Sequence, residues 1–224
     1  MNAYEGIITK KEFVKELKTH QKADNFIRGT FFNEDTGKGC AVGCSLKSIS
    51  RLKNIKMSLS DHSRYPALLG IPEWIARLED SIFEGMSEDM AKSWPVDFAS
   101  AIKTGADLDK ARIPFLLVVL KSSLKSLDSL EYDEEKLTEV KKSVDQSRAA
   151  VKQMVKALKS GNSEEIVKAR DAAASATAAA NSAANYAANA AYYAADAAAH
   201  AANAERKTYN SFAVSLLKII KSVK

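Results

Sequence analysis

Two cysteines, Cys40 and Cys44, stand four residues apart in a chain with only three histidines, His20, His62 and His200. On a helix the two thiols share one face, and that spacing makes a poor disulfide loop, so they read as reduced thiols. Three chemistries are open to them. Cys40 follows Gly39 in Gly39-Cys40-Ala41-Val42-Gly43-Cys44-Ser45-Leu46, which reads as the opening turns of a helix. Unpaired amides at a helix N-terminus favour a thiolate. A nucleophilic Cys40 would then need His62 or His20 as base and Asp24 or Asp61 to orient it. Alternatively Cys40, Cys44, His20 and His62 are a zinc set, since a Cys-x3-Cys pair suits zinc; the two histidines, however, form no local second pair. The third reading is packing, because an unpaired cysteine is among the most buried residue types.

A second group of side chains invites binding rather than catalysis. From Ala172 to Ala204, 21 of 33 residues are alanine, and the others fall on a seven-residue lattice. Ser175, Ser182, Asn189, Asp196 and Asn203 hold one position, Tyr186, Tyr193 and His200 a second, and Asn185 with Tyr192 a third. These positions share one face, so Asn185, Tyr186, Asn189, Tyr192, Tyr193, Asp196 and His200 form a stripe suited to a protein interface. The opposite side is a nearly smooth surface of methyl groups. Only Thr177 is available for a threonine lattice, which excludes ice binding of that kind.

The elements that must carry these groups are helices. Thr9-Lys10-Lys11-Glu12 has the form of a capping box. Phe13, Leu17, His20, Asp24 and Ile27 follow at helical spacing, with Arg28 placed to pair with Asp24. Residues 33–39 have loop composition, and Gly43 would let another backbone approach its helix closely. Ser60-Asp61-His62 caps a short helix ending at Gly70; Pro72, Trp94-Pro95 and Pro114 open further ones. A long helix is expected over 133–159, broken by Ser160-Gly161-Asn162, with Asn162 or Ser163 capping the alanine-rich helix. The short connection makes 133–159 and 163–206 antiparallel neighbours. Tyr209 to Lys224 is amphipathic, with Phe212, Leu216, Ile219, Ile220 and Val223 inward.

Composition agrees with that pattern. Nine glycines and four prolines in 224 residues argue against a turn-rich β fold, and 46% apolar with 27% charged residues is an ordinary globular balance. The expected fold is all-α: a helical globular head over 1–130, then a long alanine-rich antiparallel helical hairpin with an amphipathic C-terminal helix over 131–224. The best apolar run, Ile113 to Leu120, is too short for a membrane span, and Met1 to Glu5 lacks the layout of a secretory signal. A cytoplasmic location is the expectation. The net charge of +5 lies in the second half, since residues 1–100 carry fourteen charges of each sign. Neither a basic face interleaved with aromatics nor a nucleic-acid motif is visible, which argues against a dedicated nucleic-acid binder.

Gly37-Lys38-Gly39-Cys40-Ala41-Val42-Gly43-Cys44, Gly70-Ile71-Pro72-Glu73-Trp74-Ile75-Ala76-Arg77-Leu78-Glu79-Asp80 and Trp94-Pro95 resemble uncharacterised proteins of bacterial and prophage genomes that join such a head to an alanine-rich tail. The resemblance covers roughly residues 10–220. The tail is also similar to that of putative immunity proteins. The resemblance implies a bacterial or phage setting and a role in conflict between them; it supplies no catalytic residue. No phosphate loop, dinucleotide glycine fingerprint, His-Glu-x-x-His or nucleophile elbow occurs. The reading is therefore a non-catalytic interaction protein that binds and modulates another bacterial or phage protein, with no cofactor. The alternative is a cysteine-dependent enzyme or zinc protein built on Cys40 and Cys44 with His20 and His62.

Overall fold

The computed structural model describes residues 2–128, 138–172 and 195–224. They are predominantly helical, with one two-stranded ribbon among them. The chain divides into two compact units: Met1–Arg112 with Ala202–Lys224, and Ile113–Ala201.

In the first unit, helix α1 (Lys10–Lys22) opens on the capping box read from the sequence. The Thr9 hydroxyl accepts from the Glu12 amide at 3.3 Å, and the Thr9 amide donates to Glu12 Oε2 at 2.9 Å. Residues 33–39, expected as loop, belong to a hairpin of β1 (Phe32–Asn33) and β2 (Lys38–Gly39). Asn33 Oδ1 accepts from the amides of Asp35 and Thr36 at 2.9 and 3.1 Å, and Gly37 takes the left-handed conformation that closes the turn. Loop composition and a tight hairpin therefore coincide here.

Helix α2 (Ala41–Lys53) is central, and every residue from Ala41 to Leu46 is buried. The Phe31 carbonyl lies against Gly39 and Gly43, and a Cβ on either glycine would overlap it. The same carbonyl accepts from the Cys40 amide at 3.0 Å, so two absent side chains let the hairpin dock on the helix end. A single 3-10 turn (His62–Arg64), capped by Asp61, leads into α3 (Tyr65–Leu69), which ends at a left-handed Gly70. Then follow α4 (Glu73–Gly85), α5 (Glu88–Ala91) and α6 (Trp94–Ala101). Trp94, Tyr65, Phe13, Phe83 and Phe98 are the largest fully buried side chains, and they fill the space among α1, α2, α3, α4 and α6.

The second unit contains α7 (Arg112–Asp128), α8 (Thr138–Ser160) and α9, which is described over 163–172. Arg148 on α8 donates to Asp128 on α7 at 2.7 Å. Gly161 breaks the chain in the left-handed region, and Asn162 Oδ1 caps α9 by accepting from the Glu164 and Glu165 amides at 2.9 and 3.2 Å. The final helix, α10 (Ala195–Ser222), runs without interruption from the alanine tract into the amphipathic segment. Ala213, Leu216 and Ile220 are fully buried on it. A Cβ on Gly85 would strike the Tyr209 ring, and Asn210 Oδ1 accepts from the Ser87 amide at 2.9 Å. Among the described residues no helix is long and apolar enough to cross a membrane.

Candidate functional site

Cys40 is the N-cap of α2. Its backbone is extended, and its sulfur accepts from the Gly43 amide at 3.4 Å. The helix thus begins one residue later than the sequence suggests, but it still places the thiol at an amide-rich end. One α4 carboxylate, Asp80, and another one turn on, Glu84, come to meet it. Cys40 Sγ and one oxygen from each carboxylate lie within 4.8 Å of one another. His62 completes the group from the 3-10 turn: its Nε2 is 3.0 Å from Asp80 Oδ2, and the Phe31 ring meets the imidazole edge-on with centroids 5.9 Å apart.

The segment before the hairpin is tied to α4 beside this cluster, whose Glu84 is exposed. The Gly29 amide donates to Glu84 Oε2 at 2.8 Å, and Arg28 Nη1 donates to the Met86 carbonyl at 2.8 Å. Behind it sits a third acid, Glu79, 1% exposed, whose Oε2 accepts from the fully buried Tyr65 hydroxyl at 3.3 Å.

Two opposing effects act on the Cys40 thiol. A helix N-terminus favours the anion by about 0.3–1 kcal/mol, whereas removing a charge from water costs several kcal/mol. Cys40 is 1% exposed, and burial, followed by the adjacent Asp80 carboxylate, drives its pKa far above the ordinary thiol value. Burial likewise pushes Cys44 up to about 12, opposed by its contact with Gly39. Both thiols are therefore protonated at neutral pH. Asp80 Oδ1 is buried without a hydrogen-bond partner of ordinary geometry, and a protonated Cys40 is the donor at hand for it. Burial, then Asp80, also raises the pKa of Glu79 well above that of a free carboxyl, so the protonated form is favoured there too.

The structure brings Cys40 and His62 to one cluster, with Asp80 between them. The imidazole faces the carboxylate, so the order along the contacts is thiol, acid, base rather than thiol, base, acid. His20 is held elsewhere, its Nε2 2.9 Å from Ser48 Oγ and its Nδ1 3.2 Å from Asn25 Nδ2. Cys44 points its sulfur at the Gly39 and Asn25 carbonyls, at 3.5 and 3.8 Å. Asp24 is exposed and left-handed beyond the end of α1. The helical spacing that would pair it with Arg28 ends at Lys22. Asp61 caps the 3-10 turn and bonds Arg64 at 3.1 Å. The close thiol–acid group among the described residues is Cys40, Asp80 and Glu84, rather than Cys40, Cys44, His20 and His62. In the alanine-rich tract, Asn185, Tyr186, Asn189, Tyr192 and Tyr193 lie outside the described residues, as do the side chains of Asp196 and His200.

Sequence reasoning missed Asp80, Glu84, Glu79 and Tyr65. A signal was present: Ile75 and Ile82 mark the inward face of α4, and Glu79 falls on that same face at i+4 from Ile75. An acid among buried aliphatics is the anomaly to look for. Comparison with family models, curated proteins and solved structures gives no match for this chain.

Proposed function

We propose that this chain is a non-catalytic helical interaction protein that binds and modulates another protein, in a bacterial or phage setting. The setting rests on the resemblance carried by the Gly37 to Cys44 and Gly70 to Asp80 stretches, and an immunity or anti-defence role follows from it. The observation that carries the binding reading is the state of the cluster around Cys40, the close thiol–acid group among the described residues. Its sulfur is buried and protonated, its histidine is turned to a carboxylate, and its outer acid, Glu84, is held by the Gly29 amide. That arrangement suits a structural polar group inside a scaffold, and a scaffold works through its surface. The proposal includes the finer architecture: 133–159 and 163–206 as an antiparallel hairpin, presenting Asn185, Tyr186, Asn189, Tyr192, Tyr193, Asp196 and His200 to a partner.

The alternative, also a proposal, is a metal-binding protein, for which Cys40, Asp80 and Glu84 are the residues to test. One experiment separates the readings. Purified protein is assayed for bound zinc and labelled with iodoacetamide at neutral pH, and the tagged chain is then used for quantitative affinity capture from a bacterial host. Slow labelling of both thiols, no stoichiometric zinc, and a specific captured protein that survives Cys40→Ser support the proposal. Fast Cys40 labelling abolished by His62→Ala would replace it with a thiol enzyme, and one zinc per chain lost on Asp80→Asn with a metal protein.

A further inference from the structure

Helix α1 segregates its charges. Glu12 and Glu16 face α2, where Lys53 pairs with Glu12 at 3.2 Å and Arg51 with Glu16. Lys11, Lys15, Lys18 and Lys22 recur at spacings of four, three and four, which places them along one side of the helix. All four are exposed, and none has a hydrogen-bonding or ionic partner among the described residues. Like charges one turn apart disfavour a helix, so nothing in α1 itself accounts for the row.

The lysines border a groove of about 880 Å³ between α1 and the C-terminal end of α6, where Ser100 and Thr104 also line it. Among the described residues no aspartate or glutamate lines the groove. Lys10 closes one end, its Nζ fixed on the Ser100 and Ile102 carbonyls at 2.8 and 2.6 Å. Val14, Thr9, Thr19 and Thr104 line the groove beside the lysines, whose long stems are themselves apolar. The only aromatic residue of the lining among the described residues, Tyr4, is buried and donates its hydroxyl to the Ala99 carbonyl at 2.6 Å.

Deepening the interaction reading and resting on it, we infer that this groove receives an acidic amphipathic helix of the partner protein. The charge row spans roughly 16 Å, about three helical turns, which matches a helix carrying carboxylates at three- and four-residue spacing. Its apolar side would meet Val14 and the lysine stems, and its carboxylates the ammonium groups. A single-stranded nucleic acid fits less well, because the groove offers neither an exposed aromatic platform nor an arginine fork.

The test uses the full-length protein and a fluorescein-labelled 16-residue peptide of Glu, Ala and Leu with its carboxylates on one helical face. A scrambled peptide of equal charge and an oligothymidylate serve as competitors. Saturable binding is expected, weakened about tenfold by Lys15→Glu with Lys18→Glu, since rim charges govern such encounters. Lys15→Arg with Lys18→Arg should retain binding, and the milder Lys15→Gln with Lys18→Gln covers the case in which charge reversal impairs folding. No binding, equal binding of the scrambled peptide, or tighter binding of the oligonucleotide overturns the inference. Affinity capture with the Lys15→Glu/Lys18→Glu chain distinguishes the two levels. A partner held equally by this variant overturns the groove and leaves the interaction reading standing, whereas absence of any partner for either chain fails that reading itself.

Discussion

Two glutamates show how the same side chain acquires opposite pH behaviour from its surroundings. Glu12 is half-exposed and accepts from the Thr9 amide and hydroxyl and from Lys53, which together lower its pKa from 4.5 to about 2. Its contribution to stability is present above its unfolded pKa and is lost as pH falls through about 2. Glu12→Gln should therefore lower the melting temperature at neutral pH, and the gap should close in acid. Glu79 is the reverse case, since burial and Asp80 raise its pKa above the ordinary 4.5. The folded state holds its proton more tightly, so its contribution is complete below the unfolded pKa and declines as pH rises towards the folded one. Glu79→Gln, which preserves shape and a partner for Tyr65, should leave stability unchanged at low pH and increase it progressively at higher pH. Urea melts across a pH series check both, and a Glu79→Gln curve parallel to the wild type at every pH would show that Glu79 is ionised in the fold.

At the scale of elements, glycine spacing does what hydrophobic pattern cannot. Gly39 and Gly43 sit four residues apart around the N-cap, and between them the Phe31 carbonyl reaches the Cys40 amide. Gly43→Ala would place a methyl group within the Phe31 carbonyl oxygen, with backbone on both sides and no flexible side chain to yield. Overpacking of this kind costs about 1–3 kcal/mol, and the rigid surroundings favour the upper end. Equilibrium denaturation measures it. The same substitution should loosen the segment beside the cluster and raise the iodoacetamide rate of Cys40, because Phe31 is joined to both His62 and Cys40.

For the molecule as a whole, the last helix belongs with the first hundred residues. Residues 202–224 pack in one unit with 1–112, through Gly85 against Tyr209 and Asn210 against Ser87. The Asn210 carboxamide, more than a hundred residues away, takes the Ser87 amide at the start of α5, a position where that helix makes no side-chain cap of its own. Leu216 is fully buried, so Leu216→Ala should cost about 2–5 kcal/mol. The loss should appear in the near-ultraviolet signal of the buried Trp94 as well as in the far-ultraviolet melt, because the helix and the head then unfold together. Two separate transitions, with Trp94 unaffected, would mean that the helix is an independent element.

Helix class, caps and several boundaries were legible in the sequence because they depend on neighbours in the chain. Thr9 with Glu12, Asp61 before the 3-10 turn, Gly70 after α3, and Gly161 with Asn162 each satisfy amides or turn the chain within a few residues. His62 and Cys40 were recognisable as reactive types, and Gly43 as a point of close approach. What those residues meet was settled only by packing. Asp80 and Glu84 reach Cys40 because α4 crosses the start of α2, and no spacing in the sequence encodes that crossing. Asp24 was misplaced because a helical stripe was continued past Lys22, beyond which it takes the left-handed conformation; His20 lies within α1 but turns to Ser48 and Asn25 rather than to Cys40. The lysine row was readable as a period, yet the balance of fourteen charges of each sign over residues 1–100 concealed it. Sequence supplied both signs to α1; the tertiary fold turned the glutamates to α2 and left the lysines around an open groove.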